Sequence, residues 1–382
     1  MAVATQTGAC LELFTKQPAA APWVQALREA AFQRFAELGF PTTHDEEWRF
    51  TNVAPISRSA FAMLPSRDRQ GAVVPDETQL HLAKHAPLDN PFVALNTAFL
   101  TTVAFHHVPR GAVLESPIEI THACDQPGRV HHPRTLIVVA PDAHCTIIER
   151  YTGTGSYFTN AVTEVVAGDG AVIDHYKIQT EDRVAFHIAT MQATLGRSTS
   201  FTSHSISLGG ALVRNDANAT LSEGTEATLN GLYIVNGSQH VDNHTQIDHA
   251  KPHGASHELY KGVLDGRATA VFNGRIIVRK DAQKTDSKQT NKNLVLSDNA
   301  VINTKPELQI LADDVRCTHG ATIGQLDAEA MFYLQSRGIG KAQARDLLTY
   351  AFAQDIIDRV KVAALKEELE KRLFEKFHEH GG

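Results

Sequence analysis

Apolar residues recur at helical spacing from Trp23 through Val24, Leu27, Ala31, Phe32, Phe35 and Leu38, with Gly39 and Pro41 marking the stop. The pattern predicts one amphipathic helix. Residues 1 to about 20 are small and polar without a period, so they read as a frayed tail. Thr43 stands three residues before Glu46, a capping-box spacing that predicts a short helix through Trp48, with Trp48 packed and Arg49 at the surface. Residues 56–95, interrupted by Pro65, Pro75, Pro87 and Pro91, read as loops and short pieces. From Asn96 to Ile310 the pattern becomes short β-prone runs between turns, among them Leu136–Ala140, Thr146–Glu149, Ala171–Ile178 and Ile276–Val278. A helical period returns after Asp327, which is placed to cap a helix ending near Ser336. Past Arg337-Gly338 a longer helix begins near Lys341, with Leu347, Leu348, Ala351, Phe352, Ile356 and Val360 along one side. Its charged extension, Lys366 to His380, reads as solvated. The resulting division is 1–95, 96–325 and 326–382.

The β-rich stretch repeats. Asp142, Asp169, Gly196 and Glu223 each sit in a turn before a β-prone run, 27 residues apart, and Asp265 and Asp298 continue at looser steps. A fixed period of this size signals stacked units that bury their faces against neighbours. The fold expected is mainly β: a parallel, right-handed β-helix whose open ends need covering, flanked by amino- and carboxyl-terminal helical segments. An antiparallel sandwich stays open, because the period does not report strand direction.

Composition narrows the function. With 36 basic against 43 acidic side chains the net charge is -7, which leaves no cationic excess for a general nucleic-acid binder. No apolar run of about 18 residues suggests a membrane span, and no basic-then-apolar leader opens the chain, so a cytoplasmic protein is expected. The four cysteines, Cys10, Cys124, Cys145 and Cys317, form no Cys-x-x-Cys pair. That argues against a disulfide framework, a zinc ribbon or a self-contained four-thiolate cluster. Any metal or sulfide chemistry must then be shared or transient.

Candidate chemistry concentrates in two places. Cys317 and His319 lie two residues apart between Asp313-Asp314 and Asp327; on an extended chain both point to one face, and both ligate soft metals when deprotonated. The plainer reading is a small core thiol beside a surface histidine. His240, His244, His249, His253 and His257 form a second cluster, but Val241, Ile247 and Lys251-Pro252 favour strand and turn over a helical metal box. Gly338-Ile339-Gly340-Lys341 lacks the spacing and hydroxyl of a phosphate loop. It also resembles a single helix-hairpin-helix turn, in a chain too acidic to favour DNA.

Four blocks in order carry a family resemblance: Tyr260-Lys261-Gly262-Val263-Leu264-Asp265-Gly266, Ala282-Gln283-Lys284-Thr285-Asp286, Asn291-Lys292-Asn293-Leu294 and Ala312 to Asp327. With Glu46-Glu47-Trp48-Arg49-Phe50-Thr51, they resemble the SufB/SufD family of iron-sulfur cluster assembly scaffolds, most closely the SufD branch. The resemblance implies a non-catalytic subunit that pairs with a SufB-like subunit near Cys317 and His319. It also implies docking of a SufC-like ATPase on the carboxyl-terminal helices; the apolar stripe with Leu347, Leu348, Phe352 and Ile356 would serve such a partner or dock onto the chain's own β-unit, and both readings stay open. His319 would contribute to a transient iron-sulfur cluster shared with the partner, and no cofactor would be held stably. An isolated chain could form a homodimer, and neither nucleic acid nor membrane is implied. Two other readings remain: a β-helical carbohydrate-active enzyme using Asp265, Arg267, Arg275 and Arg279, and a metal-binding protein using the histidine cluster.

Overall fold

Between residues 104 and 324 each circuit of the chain lays one strand in each of two parallel sheets. The computed structural model describes residues 10–59, 61–64 and 74–378, and shows a solenoid of about 8 turns with helices at both ends. In spatial order the first sheet runs Ile118–Cys124, His144–Gly153, Val172–Gln179, Ser200–Ser207, Glu226–Val235, Ala255–Leu264, Asp286–Val295 and Arg316–Gly324. Phe158–Ala167, Phe186–Leu195, Leu212–Leu221, His240–His249, Thr269–Val278 and Val301–Ile310 form the second, after shorter strands at its amino end. Phe158 pairs with Phe186, and the ladder continues through Leu212, His240 and Thr269 to Val301; one circuit takes 28, 26, 28, 29 and then 32 residues. The pairs among the described strands are parallel, as a β-helix requires.

The period read near 27 is a corner of this solenoid. Asp142, Gly170, Ser198, Gly224, His253 and Lys284 take positive φ there. Backbone bonds tie successive corners together, from Asp142 N to Asp169 O (2.9 Å) up to Lys284 N to Asp314 O (2.7 Å). Asp265 and Asp298 lie at the other corner, where Gly266 turns the chain and Ser297 Oγ donates to its carbonyl at 2.8 Å. They fell out of step because they mark a different turn.

Inner side chains stack in columns. On the second sheet Ile137, Val165, Ala193, Ala219, Ile247 and Ile276 form one buried apolar column, each larger member contributing about 1.5–3 kcal/mol. The first sheet turns polar toward the carboxyl end, as in the column Ile147, His175, Ser203, Leu229, Glu258, Gln289. Two large rings need bare backbone beside them. A Cβ on Gly231 would lie 2.2 Å from the Tyr260 ring, and one on Gly262 equally close to Tyr233.

At the amino end, α1 (residues 10–15) is ordered rather than frayed, because Phe14 stacks on Phe32 with centroids 4.3 Å apart; residues 1–9 of the expected tail lie outside the described residues. The amphipathic helix is α2 (Pro22–Leu38), followed by the short α3 (Ala54–Ser57). The capping box at Thr43 does not form. Asp45 does the local work instead, its carboxylate accepting from Thr42 N at 2.7 Å before the single turn Glu46–Trp48. Within the stretch read as loops, α4 (Pro91–Ala98) is capped by Asn90, which accepts from Phe92 N at 2.9 Å, and every one of its residues but Pro91 is buried. A helix buried on nearly all sides leaves no amphipathic period to read.

The segment Glu46–Thr51 is clamped to the outer face of the second sheet. Trp48 lies under the Arg214 guanidinium, 3.8 Å from its centre, and Arg214 pairs with Asp216 (3.0 Å) and Asp242 (2.9 Å). Thr51 Oγ1 donates to Asp242, while His244 sits between Asp242 (3.0 Å) and Glu47 (3.3 Å). Burial disfavours charge on His244, but the two carboxylates overcome it and raise the imidazole to about 9. His244 and Arg275 hold Glu47 down at about 2.

Asp327 caps α5 (Ala328–Ser336) as expected, accepting from Glu329 N at 2.8 Å. Gly338 takes positive φ and ends the helix, so the phosphate-loop lookalike is a helix-to-helix turn. Then α6 (Lys341–Ile357) and α7 (Ala363–His378) pack on the outer face of the first sheet. Ala353, Ile356 and Ile357 of α6 and Leu365, Leu369 and Leu373 of α7 meet Ile178, Ile206, Leu232 and Ile234. The stretch read as solvated therefore sends Leu369 and Leu373 into the core; residues 379 and 380 lie outside the described residues. Lys261 Nζ fixes α6 through Phe352 O and Asp355, both at 2.8 Å.

Two predictions follow from this packing. Gly262→Ala forces a methyl into the Tyr233 ring, an overpacking cost of about 1–3 kcal/mol that chemical denaturation will read as a lower midpoint with unchanged slope. His244 is stabilised in its charged form, so its contribution is fully present below the unfolded value of 6.5 and lost as pH rises through about 9. That displacement corresponds to about 3 kcal/mol. Denaturation midpoints measured from pH 6.5 to above 9 should fall in the wild type and stay nearly flat in His244→Gln; equal slopes would contradict the clamp.

Candidate functional site

The strand Arg316–Gly324 ends the first sheet: it pairs with Asp286–Val295 on one side, and its other edge has no strand partner among the described residues. Val301–Ile310 ends the second sheet in the same way. The rim around these edges is apolar, with Val301, Leu311 and Ile323 all about half exposed. An unpaired, apolar sheet edge is a template for another chain.

Cys317 and His319 stand on that last strand. Cys317 is in register with buried Ser287 and His319 with buried Gln289, so both occupy inner positions whose next rung is missing. Extension of the strand puts them on one face, as expected. Cys317 is half-buried against Ile276, Val278, Ala282 and Ala312, whereas His319 is exposed. Burial and nearby Asp286 push the Cys317 thiol up, so it is protonated at neutral pH until a metal or partner displaces the proton.

Polar columns lie behind the pair. His249 Nε2 bonds Ser256 Oγ at 2.9 Å, and Ser256 bonds Ser287 at 2.8 Å, directly beneath Cys317. Burial keeps His249 neutral, down at about 4. Gln289 Nε2 donates to Glu258 Oε2 at 2.7 Å beneath His319, and burial pushes Glu258 up to about 7. No spacing in the chain points to these residues, because the register that aligns them crosses a circuit of about thirty residues.

The flanking carboxylates serve the fold. Asp314 pairs with Lys284 and Asp327 caps α5. The five clustered histidines separate: His240 and His244 face outward into the clamp, His249 faces inward, His253 turns a corner and His257 lies exposed on the first sheet. Asp265, Arg275 and Arg279 are equally dispersed, paired with Arg345, Glu47 and Asp248 respectively.

On α6 the expected partner stripe divides. Leu347 is 44% exposed, Leu348 and Phe352 are half-buried, and Ile356 is fully buried against the chain's own first sheet. Ile356 is thus a docking residue for α6 itself. On α5 no residue is buried, and Phe332 and Tyr333 are 74% and 57% exposed. That adjacent aromatic pair on a short helix was the available signal for a contact surface.

The matches to known proteins span both the solenoid and its open end. The family model for the SUF system FeS cluster assembly SufBD core domain covers residues 121–352, and the model for the SufBD protein N-terminal region covers 12–78. The chain is 39% identical to an iron-sulfur cluster assembly SufBD family protein of Synechocystis, over 90% of this chain and 88% of that one. It is 31% identical to the iron-sulfur cluster assembly protein SufD of Escherichia coli, over 89% and 90%, and 23% identical to SufD of Bacillus subtilis, over 94% and 95%. A parallel solenoid bearing a Cys-x-His pair on its open rung, matched by both family models, belongs to the SufBD family of iron-sulfur cluster assembly proteins.

Proposed function

We propose that this chain is a non-catalytic scaffold subunit of a Suf-type complex, pairing through its open end with a SufB-like subunit while an iron-sulfur cluster is assembled between them. The observation that carries this reading is the placement of Cys317 and His319 side by side on an edge strand that lacks a further rung. A partner strand laid along that edge would satisfy its free backbone groups and cover the apolar rim. Four scattered cysteines make this chain a poor sole holder of a cluster, so the partner supplies most of the thiolates. His319, exposed, is the ligand offered to the cluster; Cys317, half-buried with a raised pKa, stands beside it as a second donor. Without a partner, a second copy of the chain would take the same edge. The complex works in the cytoplasm.

A SufC-like ATPase is assigned to the carboxyl-terminal helices, whose apolar exposure centres on Phe332, Tyr333 and Leu347.

In a reconstituted complex, His319→Ala should lower the yield of cluster, read by visible absorption, by about tenfold or more with the circular dichroism of the subunit unchanged. Undiminished yield removes His319 from the site. Phe332→Ser combined with Tyr333→Ser should abolish co-purification of the ATPase without disturbing the fold; retained binding places docking elsewhere.

A further inference from the structure

Glu258, Gln289 and His319 are successive members of one inner column, on adjacent parallel strands about 4.8 Å apart. Glu258 and Gln289 are both buried. Above its value of about 7 the Glu258 carboxylate is ionised and only accepts, so it fixes which end of the Gln289 amide faces it, and Nε2 donates to Glu258 at 2.7 Å. Packing holds the amide in place, because Gln289 reaches across the lumen over Gly274, where a Cβ would fall 2.2 Å from Nε2. The other end of the amide is the anomaly. Gln289 Oε1 is buried and has no hydrogen-bond partner among the described residues. An acceptor left in that state bears its desolvation penalty with no bond to offset it. The next side chain up the column, His319, carries a ring N–H.

We propose that Gln289 is the positioning residue of His319: when the exposed imidazole turns inward to it, the unpaired amide oxygen accepts one ring N–H, sets the tautomer, and leaves the lone pair of the other ring nitrogen directed out of the open end. Glu258 acts one step further back by orienting the amide. This assignment deepens the cluster-assembly reading and rests on it for the ligand, whereas the tautomer is a property of the free chain. A histidine ligand held through its second nitrogen by a buried acceptor is more basic and better aimed than a free one.

The test is nitrogen-15 NMR of the imidazole rings in the full-length chain at mildly alkaline pH, where imidazole is neutral. His319 is assigned by the signal lost in His319→Ala. The wild type should show a single tautomer. Gln289→Met keeps the volume and removes the acceptor; it should give a mixture of tautomers with an unchanged thermal midpoint, and about a tenfold loss of cluster yield in the complex. One unmixed tautomer in Gln289→Met overturns the assignment. Should that variant unfold, Glu258→Gln, which frees the amide to flip, takes its place with the same two outcomes. The two proposals fail separately: cluster yield indifferent to His319→Ala refutes the assembly role, while a yield that depends on His319 beside a tautomer indifferent to Gln289 refutes only this inference.

Discussion

In-register stacking of parallel rungs governs this molecule. Each strand takes its backbone hydrogen bonds from the strands above and below, so an inner side chain is fixed in line with one about thirty residues away. Lateral register carries two consequences. Every inner position must suit its column neighbours, and the last rung necessarily has none. The open end is therefore a direct product of the architecture: Arg316–Gly324 presents inner residues and backbone groups with no described strand stacked upon them.

The interior departs from an ordinary core along its length. The second sheet carries apolar columns beside buried His187, Asn215 and His249, while the first carries Glu149, His175, Lys177 and, farther on, Glu258, Gln289 and Asn291, all buried. Buried charge is tolerated only where partners surround it. Glu149 has burial against its ionisation, yet His122, His175 and Thr163 hold it well below the usual carboxylate range. Glu181 has His187 and Thr159 at 2.7 and 2.6 Å. Lys177 reaches His187 and Asn215, and burial brings it down to about 8. Such networks penalise a one-residue slip severely, because a slip exchanges inner for outer positions and strands each charge without its partner.

Much of this was legible in the chain. Turn residues at a constant interval reported the stacked architecture, and the Cys317-x-His319 spacing reported a shared face on an extended strand. Helix α4 was missed because Phe-Val-Ala-Leu is apolar on every side. Ile356 was misjudged as partner-facing because periodicity finds an apolar stripe without saying what covers it; the matching surface, Ile178, Ile206 and Leu232, lies on the outer face of a sheet far back in sequence. The roles of Ser287, Gln289 and Glu258 could not be read from spacing, since circuits of 26 to 32 residues must be counted correctly before any column can be drawn. Corner positions drift, and an error of a single residue turns every side chain to the opposite face.

The two terminal helical segments close opposite outer faces, and no described segment covers the end. Glu46–Thr51 seals the second sheet through Arg214, Asp242 and His244, and reaches the final rung where Lys305 meets Glu46 at 3.0 Å. The helices α6 and α7 seal the first sheet, anchored by Lys261. Lys261 and Glu258 share the strand Ala255–Leu264, one gripping the helix outside and the other supporting Gln289 inside. A strand is stiff over three residues, and its inner and outer faces cannot shift independently. The grip on α6 and the support beneath Gln289 thus sit three residues apart on one stretch of sheet backbone.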